Sequence, residues 1–150
     1  MNGMFLAHHC ALSVADLDRS IRFYECFGFK RAVQWEAEDK SLRIVHLVLS
    51  GFILELFAYA TNVDDQPRSR GIGNDLEAIG VKHLGLRVDS LQQAKERLAD
   101  RGMDTGTEIV EGRIGITYFF VADPDGLWLE IVEDHRKLGD ASPAPPITVR

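Results

Sequence analysis

The strongest constraint on this chain is an internal repeat. The segment HHCALSVADLDRSIRFYECFGF, which starts at His8, resembles KHLGLRVDSLQQAKERLADRGM, which starts at Lys82. Histidine, leucine, valine, leucine and glycine recur in the same order at one constant separation, and GFILEL and GLWLEI follow at nearly the same separation. Such self-similarity indicates two homologous modules in one domain. We predict the modules at 5–60 and 81–134, a linker at 61–80 and a C-terminal tail at 135–150.

The periodicity of each module predicts the same order of elements. Alternating apolar side chains from Leu6 to Val14 indicate a strand. A helix follows, capped by Asp16 or Asp18 and ended by Gly28. Three strands complete module one, at 29–37, 42–49 and 52–58, with a turn at Ser50–Gly51. Module two repeats this order, with a strand at 83–88, a helix at 90–101 and strands near 106–111, 115–121 and 126–132. The sequence therefore predicts an α+β fold of two strand–helix–strand–strand–strand modules.

Two histidines and two glutamates occupy corresponding places in the modules. Strand alternation places His9 and His83 opposite the apolar side chains of their strands, and it does the same for Glu55 and Glu130. Each glutamate is flanked on its own face by large apolar groups, where a carboxylate without a partner is costly to desolvate. Two such carboxylates and two matching imidazoles predict one divalent metal ion bound by all four. The mixed nitrogen and oxygen donors suit zinc, nickel, cobalt, manganese or iron.

Other polar residues have no counterpart in the repeat. His8, His46 and His135 are interpreted as structural or surface residues, with His8 as the alternative ligand if the strand phase shifts by one residue. Arg87 shares the predicted face of His83 and is a candidate to bind an anionic group of a substrate. The linker arginines, Arg68 and Arg70, are alternatives for that role.

Composition narrows the class of function. The net charge is −6 and no lysine or arginine run is present, which argues against nucleic-acid binding. No apolar run is long enough to span a membrane, and the first residues do not resemble a secretion signal. Two cysteines make no disulfide framework, so we expect a cytoplasmic protein.

The segments HHCALSVADLDRSIRFY, GFILELF, VKHLGLRVDSL and FFVADPDGLWLEIVE resemble the vicinal oxygen chelate superfamily. This superfamily includes glyoxalase I, methylmalonyl-CoA epimerase, fosfomycin-resistance transferases, extradiol dioxygenases and bleomycin-resistance proteins. The resemblance implies two βαβββ modules that form an eight-stranded metal-binding cup. It implies His9 and Glu55 as ligands from module one, with His83 and Glu130 from module two. It also implies a homodimer, in which the cup forms either within one chain or between two.

The His, Glu, His, Glu set is closest to that of glyoxalase I. We therefore expect a metal-dependent lyase or isomerase, with nickel or zinc as the best-fitting metal. Its substrate chelates the metal through adjacent oxygens, and a glutamate transfers a proton between carbons. By resemblance Glu130 is the candidate base and Glu55 a possible partner. Alternatives are another metal-dependent enzyme of the superfamily (epimerase, thiol transferase or dioxygenase) or a non-catalytic small-molecule-binding protein, because fold alone does not fix function.

Overall fold

Each half of the chain forms one βαβββ module in the computed structural model, which describes residues 6–63 and 76–136. Module one contains β1 (His9–Ser13), α1 (Leu17–Cys26), β2 (Lys30–Glu36), β3 (Leu42–Leu49) and β4 (Phe52–Tyr59). Module two contains β5 (His83–Val88), α2 (Leu91–Ala99), β6 (Val110–Glu111), β7 (Thr117–Ala122) and β8 (Trp128–Glu133). The predicted fold class is confirmed. The candidate anion-binding residues Arg68 and Arg70 lie outside the described residues.

The two modules have the same sheet topology. Strand order is β1-β4-β3-β2 in one sheet and β5-β8-β7-β6 in the other. The first strand of each module runs parallel to the last, and the remaining neighbours are antiparallel. Neither helix in the described ranges is long and apolar enough to cross a membrane.

Helix α1 follows the rules of helix capping. The side chain of Asp16 accepts a hydrogen bond from the backbone N–H of Arg19 at 2.9 Å, which satisfies an otherwise unpaired donor of the first turn. The helix ends before Gly28, whose φ of +96° favours glycine. Its buried face contains Leu17, Ile21 and Tyr24, as helical spacing predicts.

Strand β6 spans only Val110–Glu111, so it is much shorter than the strand predicted near 106–111. Continuing the β6–β7 pairing would place residue 108 opposite Phe120. Instead, the Thr107 hydroxyl donates to the carbonyl oxygen of Phe120 at 2.7 Å and accepts from its N–H at 2.8 Å. One side chain thus satisfies both backbone groups that a longer strand would have paired.

The helix-bearing faces of both modules contribute to a single apolar core. Leu54 and Leu56 in module one and Leu129 and Ile131 in module two have at most 1% of their surface exposed. Hydrogen bonds reinforce this junction, since the hydroxyl of Tyr24 on α1 donates to a carboxylate oxygen of Asp123 in the β7–β8 turn at 2.9 Å. Within residues 6–63 and 76–136, three further polar contacts join the modules: Arg19 to Asp125, the Ala15 N–H to Asp125, and Arg101 to the Cys26 carbonyl oxygen.

Candidate metal-binding site

The first candidate pair lies on the sheet of module one. His9 on β1 is opposite Ile53, two residues before Glu55 on the parallel neighbour β4. Because Leu54 and Leu56 point into the core, Glu55 points to the other face of the sheet. His9 Nε2 lies 3.7 Å from Glu55 Oε2, and the glutamate side chain is only 19% exposed.

The second candidate pair repeats this arrangement in module two. His83 on β5 is opposite Trp128, two residues before Glu130 on β8. His83 Nε2 lies 3.4 Å from Glu130 Oε2, and the glutamate side chain is 14% exposed. The ring of Phe120 packs edge-on against His83, with the ring centres 5.5 Å apart.

Module one contains a third ligand-type residue at this face. His46 Nε2 lies 2.9 Å from Glu55 Oε1, a contact that the interpretation of His46 as a structural or surface residue did not anticipate. The sequence contained a signal for this contact. A two-residue turn at Ser50–Gly51 pairs residue 49 with 52, and continuing that antiparallel register pairs His46 with Glu55.

The remaining predicted residues lie around the pairs. His8 is exposed, and its Nδ1 is 2.9 Å from Nδ1 of His9. Arg87 is exposed on the strand of His83. A hydrogen bond from Arg136 lowers the pKa of Asp134 to about 2, and the charge of Arg87 contributes to that shift. In the parallel register of β5 and β8, Arg87 lies opposite Val132, two residues before Asp134.

His135 lies on the surface, as interpreted from the sequence, where its Nε2 is 2.8 Å from Glu133 Oε1.

The four predicted ligands form two pairs within the chain, not one cluster. In the described ranges, no group of three or more His, Cys, Asp or Glu side chains is placed to hold a metal ion. Each His–Glu pair lies on the sheet face opposite the core that joins the modules. The single chain thus presents two His–Glu pairs of similar geometry, which we call half-sites.

Each half-site fits one edge of a metal coordination sphere. Donors about 2.1 Å from a zinc ion at tetrahedral angles lie about 3.4 Å from each other. The nitrogen–oxygen separations of 3.7 and 3.4 Å are close to this value.

The indole Nε1 of Trp128, which lies on the same strand as Glu130, is buried without a hydrogen-bond partner in the described part of the chain.

Two βαβββ modules, each with one His–Glu pair at the same strand positions, define a protein with a glyoxalase-like fold. The family model described as the Glyoxalase/Bleomycin resistance protein/Dioxygenase superfamily matches residues 6–131. The chain belongs to this superfamily.

Relatives and solved structures are similar over most of this chain. YwkD of Bacillus subtilis, an uncharacterized protein, is 30% identical over 128 residues, which are 84% of this chain and 94% of YwkD. A probable chloroplastic lactoylglutathione lyase of Arabidopsis thaliana is 29% identical over 131 residues, 83% of this chain but only 35% of that protein. The crystal structure of a glyoxalase family protein from Enterococcus faecalis is 27% identical with a TM-score of 0.69, covering 87% of this chain and 98% of that one.

Proposed function

We propose that the protein is a metal-dependent lyase or isomerase of the glyoxalase I type, which transfers a proton between carbons of a substrate held through two adjacent oxygens. The observation that carries the proposal is the pair of equivalent half-sites, with one imidazole and one partly buried carboxylate on each module. Similarity to a probable lactoylglutathione lyase supports this type of reaction.

The proposed site forms between two copies of the chain. His9 and Glu55 of one copy, with His83 and Glu130 of the other, would hold one nickel or zinc ion, and a two-fold dimer would contain two such sites. The reason is the shared core, which joins the helix-bearing faces within a chain and leaves each half-site on an opposite face. When bound, the metal acts as a Lewis acid that polarises the adjacent substrate oxygens and makes the neighbouring C–H more acidic.

Glu130 is the proposed base. Its side chain is the less exposed of the two glutamates, and Nε2 of His83 lies 3.4 Å from its Oε2. The carboxylate removes the proton from the carbon beside one chelating oxygen and returns it to the adjacent carbon. The apolar rings of Phe120 and Trp128 lie beside Glu130 on this face, with their ring centres 6.3 Å apart.

Arg87 is the proposed contact for an anionic group of the substrate, because it lies on the strand of His83 and is exposed. An Arg87→Gln variant should raise KM severalfold and leave kcat nearly unchanged, since the contact is the same in the ground and transition states. A fall in kcat with no change in KM would exclude Arg87 as a contact for substrate binding.

The first experiment measures metal content. The chain is purified without added metal or chelator, and elemental mass spectrometry is run on the wild type and on His83→Ala. About one ion per chain, lost in the variant, is the expected result. The control is His135→Ala, which removes an exposed imidazole paired with Glu133 outside the half-sites. A wild type that takes up none of the five candidate metals would contradict the proposal.

The second experiment locates the site between copies. His9→Ala and His83→Ala are each expected to bind no metal as homodimers. A mixed dimer of the two variants contains one doubly damaged site and one intact site, so it should recover about one ion per dimer. If both half-sites of one chain met in the same cup, mixing would recover none. The mixed dimer therefore distinguishes the two assemblies.

The third experiment tests the chemistry. Hemithioacetals of α-oxoaldehydes with several thiols, glutathione included, are screened with the metal-loaded protein. Glu130→Gln should retain metal but lose turnover by a factor of about 100 or more, as expected when a general base is removed. Full turnover in this variant would exclude Glu130 as the base, and deuterium from solvent in the product carbon would report proton transfer.

A further inference from the structure

The two modules differ at the strand position that faces each glutamate. Antiparallel pairing places His46 opposite Glu55 in module one and Phe120 opposite Glu130 in module two. The separation in sequence between His46 and Phe120 equals that between the two strand histidines of the repeat. One position of the repeat therefore has a hydrogen-bond donor in module one and an apolar ring in module two.

The contact made by His46 engages one specific oxygen of Glu55. Its Nε2 lies 2.9 Å from Oε1, whereas the other oxygen, Oε2, is the one that faces His9 at 3.7 Å. An ionised carboxylate only accepts hydrogen bonds, so His46 donates through Nε2–H. Both side chains are partly buried, which strengthens a charge-assisted hydrogen bond.

Phe120 gives Glu130 no equivalent support. Its ring contacts the rings of His83, Tyr118 and Trp128, and a phenyl group has no polar hydrogen to donate. The two glutamates of the proposed site are therefore held differently. Glu55 is fixed through one oxygen by a neighbouring strand, whereas the corresponding position beside Glu130 holds a ring that cannot fix either oxygen.

We propose that His46 is a positioning residue that holds Glu55 as a ligand of the metal, with Oε2 turned toward His9. This inference rests on the proposed function. Hydrogen-bonded partners of ligating carboxylates orient the ligand and tune its affinity for the metal.

The test compares metal affinity in His46→Phe and His46→Gln. The first variant introduces the residue that module two has at this position, and it should bind zinc roughly 10- to 100-fold more weakly, the usual effect of losing such a partner. The second variant supplies an amide N–H in place of the imidazole N–H, and it should recover affinity to within a few-fold of the wild type. Zinc binding is measured by competition with a chromophoric chelator, so no turnover is needed.

The matched control is His135→Phe, which makes the same substitution at an exposed His–Glu pair and should leave zinc affinity unchanged. Urea unfolding of each metal-free variant checks that a loss of affinity is not a loss of fold. If His46→Phe does not fold, His46→Ala takes its place with the same expected loss.

Three results would overturn the inference. One is a His46→Phe variant with wild-type zinc affinity, and another is a His46→Gln variant as weak as His46→Phe. The third is the loss of one imidazole from the zinc coordination shell of His46→Gln by X-ray absorption, because it would make His46 a ligand. All three leave the proposed function standing, whereas a wild type that binds no metal would refute both.

Discussion

Removing the hydrogen bond between Tyr24 and Asp123 is the most direct test of the junction between the modules. Tyr24 is completely buried on α1, and Asp123 is 6% exposed in the β7–β8 turn. Asp123 Oδ1 accepts from the backbone N–H groups of Asp125 and Leu127, and Oδ2 accepts from the Tyr24 hydroxyl at 2.9 Å. A Tyr24→Phe substitution therefore leaves one buried carboxylate oxygen without its donor.

The expected cost follows from that lost donor. A hydrogen bond to a charged group contributes about 1.5–3 kcal/mol, and leaving the buried partner unsatisfied costs a similar amount. For a chain of this length each 1 kcal/mol lowers Tm by roughly 2–4 °C. A loss of about 2 kcal/mol thus lowers Tm by about 4–8 °C, with little change in the urea m-value because the surface exposed on unfolding is the same.

The pH dependence of the free energy of unfolding tests the same hydrogen bond independently. Burial raises the pKa of Asp123, and the Leu127 N–H and Tyr24 hydroxyl act in the opposite direction. Because the folded pKa lies above the unfolded value, ionised Asp123 costs the fold stability at neutral pH, and this cost disappears as the pH falls through the folded pKa. Removing the hydroxyl raises the folded pKa further, so the deficit of Tyr24→Phe should be largest at neutral pH and smaller near the unfolded value of 3.8.

Urea unfolding at pH 7 and at about pH 4 measures both effects. Tyr59→Phe is the control, because Tyr59 is half exposed and its hydroxyl should contribute less than about 0.5 kcal/mol. A double-mutant cycle with Asp123→Asn isolates the interaction free energy between Tyr24 and Asp123. A Tyr24→Phe variant whose free energy of unfolding stays within about 0.5 kcal/mol of the wild type would refute this role of the hydrogen bond. A deficit that grows as the solution is acidified would refute it equally.

Three further predictions use the same structure. Asp16→Ala removes the cap of α1 and should lower the free energy of unfolding by about 1 kcal/mol in urea, whereas no loss would mean the cap is satisfied by water. Arg136→Gln should raise the pKa of Asp134 from about 2 toward 3.8 in a carbon-13 titration. The Arg136–Asp134 pair stabilises the fold above pH 3.8, and this contribution is lost as the pH falls toward 2. A titration of Asp134 that is unchanged in Arg136→Gln would refute the contact. His8→Ala should leave metal content at the wild-type value, and its loss would make His8 a ligand.

Much of this protein was determined by the sequence alone, because strand and helix periodicity depends on residues close together in the chain. The internal repeat predicted two modules of the same element order, and the structure confirms that order. Alternation along β4 and β8 correctly placed Glu55 and Glu130 on the face opposite the buried leucines. Even the missed contact of His46 with Glu55 was encoded locally, through the register that the Ser50–Gly51 turn sets.

Only the tertiary structure decided how the modules meet. The Tyr24–Asp123 bond joins residues 99 positions apart, and no periodicity in either segment predicts it. The truncation of β6 likewise depends on one Thr107 hydroxyl reaching the backbone of Phe120. Packing both helix-bearing faces into one core keeps the two His–Glu pairs of the described chain apart. The sequence determined which side chains share a face because that depends on local geometry, whereas the arrangement of the faces depends on burying apolar surface from both modules at once.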